Sequence, residues 1–145
     1  MFKHILVPVD GSNTAQLAVG KAIGLAQAFG SQVTVIYVID PYPFTGVGTD
    51  FAYGQAEYLS AATAEANAAV KTAKEAFASA AVTVDSSIIE AHTVWRGIVE
   101  AGVSLKADLI VMGSHGRNGF EKLVLGSVAQ AVLSHTKLPV LVVRD

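Results

Sequence analysis

Ala107–Gln130, ADLIVMGSHGRNGFEKLVLGSVAQ, is the stretch from which the fold can be read. It opens on an apolar run, Leu109 to Met112, crosses a loop carrying Gly113, Gly116 and Gly119, and returns to order at Gly126 and Ser127. That pattern predicts a strand, a Gly-rich loop and the start of a helix. Glycines at a strand end let backbone N–H groups approach a ligand without interference from Cβ. A helix N-terminus adds unpaired N–H groups and a dipole that favours an anion. The guest this chemistry suits is a phosphate. No Gly-Lys-Ser/Thr follows, and the spacing is not G-x-G-x-x-G, so neither general nucleotide fingerprint applies.

The flanking sequence repeats the alternation. Ile5 to Val9 is an almost unbroken apolar run, suited to a central strand covered on both faces. Pro8 is expected near its carboxyl end, where a missing ladder donor is tolerable. Asp10-Gly11-Ser12 turns the chain, and Ser12 is placed to cap a helix with Ala15, Ala18, Val19, Ala22, Ile23, Ala26 and Phe29 on one face. Gly30 is its expected stop. Gln32 to Ile39 reads as a second strand.

Asp40 to Gly54, with Pro41, Pro43 and several aromatics, reads as an irregular loop long enough for a lid or binding surface. An Ala-rich helix follows, its stripe formed by Leu59, Ala62, Ala66, Val70, Ala73 and Phe77. Val82 to Glu90 is expected to be a third strand. Thr93 is placed to cap a helix carrying Val94, Ile98, Ala101 and Leu105, in which Gly97 and Gly102 each cost about 1 kcal/mol relative to alanine. A helix from about Val128 to His135 and a last strand, Val140 to Val143, complete the order.

An alternating βαβαβαβαβ chain predicts a single α/β domain, an open parallel sheet with right-handed crossovers and helices on both faces. Ligands in such sheets bind beyond the carboxyl ends of the strands, where the strand order reverses. Asp10 and the Gly-rich loop both lie at such ends. If the first and fourth strands are neighbours, the two face one crevice.

Composition narrows the partners. The chain has 145 residues, ten basic and twelve acidic side chains, four histidines and no cysteine. Interspersed charge argues against a nucleic-acid or membrane surface, and the histidines His4, His92, His115 and His135 lack metal-ligand spacing. No run approaches the ~18 to 20 apolar residues needed to span a bilayer, so the expectation is a soluble, cytoplasmic protein.

HILVPVDGS at the start, ADLIVMGSHGRNG later, and Gly113-x-x-Gly116, nine residues, then Gly126-Ser127 together resemble the universal stress protein family, over nearly the whole chain. The glycine spacing is similar to that of the family's ATP-binding branch. It departs from the common pattern at Asn118, where serine is frequent, and around His92 to Arg96, where a Gly- or Pro-containing turn is usual. The resemblance implies a five-stranded sheet of order 3-2-1-4-5, ATP, alone or with Mg2+, between the ends of strands one and four, and homodimers through the last strand, Val140, Leu141, Val142 and Val143.

It further implies site residues. Asp10, otherwise a turn cap, matches the acidic residue at the nucleoside, where a carboxylate accepts from ribose hydroxyls. Pro8, Val9 and Val38 would line the adenine side, with Met112 at the end of the fourth strand. Gly113, Gly116 and Gly126 bring backbone to the phosphates. Ser127 reads as an N-cap that also turns its hydroxyl and neighbouring N–H groups, including that of Val128, toward them. Arg117 can hold two oxygens at once, His115 contributes mainly backbone, and Lys122 reads as a solvated surface charge. Trp95, Tyr42, Phe44, Phe51 and Tyr53 lack interleaved basic residues and read as cover for the core or a dimer contact rather than a base-stacking platform.

Three functions remain open on the sequence. The first is an ATP-binding stress-response module with slow or no hydrolysis, because the site lacks a carboxylate placed for metal or water beyond Asp10 and Glu121. The second is an ATP-using enzyme with the 40–54 loop as lid, and the third is a nucleotide-free dimeric adaptor. An apolar edge strand so near the end of the sequence invites two-fold pairing in each case.

Overall fold

The computed structural model describes residues 1–41, 49–116 and 125–145, with side chains described outside 49–53. The elements run β1 (His4–Pro8), α1 (Asn13–Phe29), β2 (Gln32–Ile39), α2 (Thr49–Ser79), β3 (Val84–Glu90), α3 (Val94–Ser104), β4 (Leu109–Gly113), α4 (Ser127–His135) and β5 (Val140–Val143). All five strands pair in parallel, in the order β3-β2-β1-β4-β5. The predicted doubly wound α/β sheet and its strand order are therefore present.

Alternation along β1 divides the core between the two faces. Ile5, Val7 and Val9 pack with Ala15, Ala18, Val19 and Ala22 of α1 and with Val70, Ala73 and Phe77 of α2. Leu6 joins Ile36 and Val38 of β2 beneath Ile98 and Ala101 of α3 and Ala129 and Val132 of α4. Leu6 and Ile5 have no exposed surface, as a strand covered on both faces requires. The Val9 N–H donates to the Ile36 carbonyl at 2.8 Å. Strand alternation then turns the Pro8 nitrogen toward β4, whose register with β1 ends at Leu6 and Ile110, so the proline removes no ladder bond.

The boundaries of α1 follow from capping, whereas Thr93, at the expected cap of α3, makes no side-chain cap hydrogen bond. Ser12 Oγ accepts the Ala15 N–H at 3.2 Å, and Gly30, at φ 64°, closes α1 in the left-handed region that glycine adopts without penalty. Phe29 departs from the expected buried stripe. It is 42% exposed and packs edge-on against Phe2 at 5.7 Å, in a last turn whose residues 27–29 are all exposed.

The segment 40–54 is not a continuous loop, since α2 already begins at Thr49. No proline lies within Thr49–Ser79 to stop the helix, and its one glycine, Gly54, costs a long helix only about 1 kcal/mol. The junction is tied to β2 by the Tyr58 hydroxyl, which donates to the Asp40 carbonyl at 2.9 Å, and by Gln55 Nε2, which donates to the Pro41 carbonyl at 3.1 Å. Burial, then the nearby Asp40 charge, raises the Tyr58 pKa above its ordinary value. Residues 42–48 of the expected lid, Tyr42 and Phe44 included, lie outside the described residues, as do the side chains of Phe51 and Tyr53.

β3 begins at Val84 rather than Val82. α2 ends through Ala81, at φ 59°, with the Val82 N–H turned back to the Phe77 carbonyl at 3.0 Å, and the chain reaches the sheet two residues later. At the opposite end of the sheet from the loops, Asp108 accepts the N–H groups of Lys3 at 2.8 Å and His4 at 3.0 Å, fastening the start of β4 to the start of β1. Desolvation works to raise the Asp108 pKa, but the hydrogen bonds to its carboxylate prevail and hold it below the ordinary value.

Candidate functional site

Since β1 and β4 are neighbours, the loops leaving their carboxyl ends converge. The first is built on Asp10. Its Oδ1 accepts the Ser12 N–H at 2.9 Å, a side-chain turn that sends the chain into α1. One carboxylate oxygen is thus occupied by the turn.

The other oxygen meets the second loop. A Cβ built on Gly116 would lie 2.6 Å from Asp10 Oδ2, so only a residue without a side chain lets this backbone rest against the carboxylate undisturbed. At Gly113 an added Cβ would lie 2.5 Å from Thr14 Oγ1 and 2.8 Å from the Thr14 carbonyl carbon, and at Gly126 3.1 Å from His115 Cα. These three glycines permit α1, the loop after β4 and the start of α4 to close on one another.

Hydrogen bonds fix the same junction. Ser114 is 1% exposed. Its N–H donates to the Val143 carbonyl at 2.9 Å, and its carbonyl accepts the Gly126 N–H at 2.6 Å. The Thr14 hydroxyl donates to the His115 carbonyl. A carboxylate, closely approached glycine backbone and a helix N-terminus are therefore gathered at one end of the sheet, a donor and acceptor set suited to a polyol joined to an anion.

Comparison with known proteins agrees with this architecture. The model of the universal stress protein family matches residues 1–144. The chain belongs to the universal stress protein family. It is 37% identical to Universal stress protein MJ0531 of Methanocaldococcus jannaschii over 145 residues, 99% of this chain and 83% of that protein. Among solved structures it is similar to the hypothetical protein MJ0577, with TM-score 0.87 and 28% identity over 100% of this chain and 97% of that one. It is also similar to UspA from Lactobacillus plantarum, with TM-score 0.86 and 29% identity over 98% and 97% of the two chains. Two further universal stress proteins share the fold at TM-score 0.71. One, 24% identical over 99% of this chain and 97% of that one, is in complex with cAMP. The other, from Archaeoglobus fulgidus and 22% identical over 97% of each chain, is in complex with dAMP.

In this universal stress protein the expected site residues do not all fall in one place. Asp10, Gly113, His115, Gly116 and Gly126 are brought together by the contacts above. Pro8, paired in register with Ile36, ends β1 beside them. Val38 and Met112 are buried on one face of the sheet and Val9 on the other. Arg117, with Lys122 and Glu121, lies outside the described residues.

Ser127 corrects the expected cap by one position. Gly126, at φ −75° and ψ 168°, is the N-cap, and Ser127 is the first helical residue, with an exposed side chain. The extended conformation falls on Gly126 because its N–H is held by Ser114 and a side chain there would crowd His115. A glycine cap supplies no side-chain acceptor for the first turn of α4, which leaves the N–H groups at Ser127 and Val128 suited to a ligand. The Val128 side chain itself packs toward the core.

The His115 side chain faces the end of the described chain. Its ring Nε2 lies 3.6 Å from Asp145 Oδ1 and has no hydrogen-bond partner among the described residues. Trp95 stacks on His135 with ring centroids 4.1 Å apart and packs against the core, as cover rather than a platform for bases.

Thr14 and Ser114 were not singled out by the sequence pattern. Thr14 carries the one usable signal, being polar on the buried stripe it shares with Ala18 and Ala22. Ser114 carries none beyond its place between glycines.

Proposed function

We propose that the crevice between the ends of β1 and β4 binds an adenine nucleotide, ATP foremost, alone or with Mg2+. On this reading the protein is a cytoplasmic regulatory module of the family's ATP-binding branch, with slow or no hydrolysis. The observation that carries the reading is the contact of Asp10 with Gly116, which sets an acceptor for ribose hydroxyls beside backbone suited to phosphate. Glycines at 113, 116 and 126 whose Cβ positions are already contested by Thr14, Asp10 and His115 are what such a cradle requires. The cAMP and dAMP complexes of related folds lend support to the ligand class.

The roles follow from position. Asp10 Oδ2 receives the nucleoside hydroxyls; Pro8, Val9, Val38 and Met112 border the base. Gly113, His115, Gly116 and the N-terminus of α4 at Gly126, Ser127 and Val128 offer backbone to phosphate oxygens, and Arg117 adds charge. Beyond Asp10 and Glu121 the sequence offers no carboxylate in these loops to hold a metal or orient water, which favours storage of a signal as occupancy over turnover. β5 lies at the sheet edge with Leu141 39% exposed, and we assign it to a homodimer contact through Val140, Leu141, Val142 and Val143.

Mass spectrometry of freshly purified, denatured protein, followed by thermal melts of nucleotide-free protein with ATP, tests the proposal. Binding to the folded state alone stabilises by RT ln(1 + [L]/Kd), roughly 2.7 kcal/mol at one hundred times Kd. A melting temperature unmoved by millimolar ATP overturns it.

A further inference from the structure

We infer that Thr14 is a positioning residue of this site: its buried hydroxyl holds the His115 carbonyl against α1 and thereby turns the Gly116 N–H outward, toward the ligand. The inference rests on the nucleotide reading above and deepens it.

Thr14 is fully buried, on the second residue of α1 and in line with Ala18 and Ala22. A buried hydroxyl is costly unless it is bonded. Here the bond is not to its own helix but to a carbonyl 101 residues away, in the loop after β4. The same oxygen sits where a side chain on Gly113 would go, so one atom governs both the entry to the loop and its second peptide.

The consequence is geometric. In a trans peptide the carbonyl of one residue and the N–H of the next point in opposite directions, and the described residues contain no cis peptide bond. With the His115 carbonyl directed at Thr14, the Gly116 N–H is directed away from α1. Asp10 Oδ2 lies beside the Gly116 Cα, so the peptide is fixed from α1 through Thr14 and its glycine bears on the acidic residue of the turn. Such fixing before binding is what preorganised donors need.

Thr14→Val keeps the shape and removes the donor, Thr14→Ser keeps the donor, and Thr14→Ala removes it without placing a methyl against the carbonyl. ATP affinity is measured by calorimetry, and the Gly116 amide resonance is recorded without nucleotide. The expected result is about a tenfold or greater loss of ATP affinity in Thr14→Val and Thr14→Ala, as for one misdirected bond to a charged group. Thr14→Ser should remain within about threefold of wild type, and the Gly116 resonance should move in Val and Ala but not in Ser. Wild-type affinity in a folded Val or Ala variant overturns the inference, as does Ser behaving like Val, or both Val and Ala failing to fold. If the wild type binds no ATP, the nucleotide reading falls, while the Gly116 resonance still decides whether Thr14 sets that peptide.

Discussion

Asp10 and Gly116 leave the carboxyl ends of adjacent parallel strands, and a methyl group on Gly116 would stand 2.6 Å from Asp10 Oδ2. Because the crowded atom is the tip of a side chain, Gly116→Ala is expected to leave stability within about 1 kcal/mol of wild type while displacing the carboxylate. ATP affinity should fall about tenfold or more in Gly116→Ala and in Asp10→Ala, and the double variant should lose less than the sum. Calorimetry on the four proteins measures the coupling; strict additivity would show that the two residues act independently.

Glycines crowded by neighbours should behave differently from glycines facing open space. Nothing lies within 4 Å of an added Cβ at Gly20 or Gly24, both exposed on α1, so alanine there is expected to stabilise by about 0.5 to 1 kcal/mol each. At Gly113 the added Cβ meets Thr14 and Ala15 backbone at 2.8 and 2.9 Å, and Gly113→Ala should destabilise by about 1 to 3 kcal/mol. At Gly97 it meets Val38 Cγ1 at 2.8 Å, and the overpacking should outweigh the gain in helix propensity. Urea midpoints at constant slope would report all four.

Leu141→Lys tests the sheet edge. The side chain is exposed in the single chain, so the variant should fold with near wild-type stability at low concentration yet sediment as a monomer, where the wild type is expected to sediment as a dimer. An unchanged dimer would move the interface elsewhere.

Asp108 should confer acid sensitivity. Its folded pKa lies below its ordinary value, so its contribution is present above the unfolded pKa and is lost as pH falls through the folded one. Asp108→Asn, which turns an amide donor toward one of two backbone N–H groups, should cost about 1 kcal/mol near neutral pH. The difference from wild type should narrow in denaturant titrations as the pH falls into the acid range.

The order of elements was legible because apolar runs, Ser12 and Gly30 report local preferences that the fold does not override. The strand order depends on pairings between distant segments, and resemblance rather than periodicity supplied it. Gly97 and Gly102 looked like costs to α3; their reason is the sheet beneath, visible only once Val38 and Leu138 are placed against them. At the site, Asp10 and the glycines were readable from spacing. Thr14 was not, since nothing local to Asn13-Thr14-Ala15 names a partner 101 residues on. The one-residue shift from Ser127 to Gly126 has the same origin, for His115 and Ser114 decide which residue takes the extended conformation.

Ser114 and His115 are joined to Val143 of β5, Gly126 before α4 and Thr14 of α1. Two consecutive residues thus close loops of very different length, and those contacts exist together only when both the first helix and the last strand are docked. A chain whose last strand has frayed, or has not yet been synthesised, lacks part of the frame that holds the loop. On the proposed reading, nucleotide affinity would then register whether the whole domain is assembled, and occupancy would slow the detachment of β5.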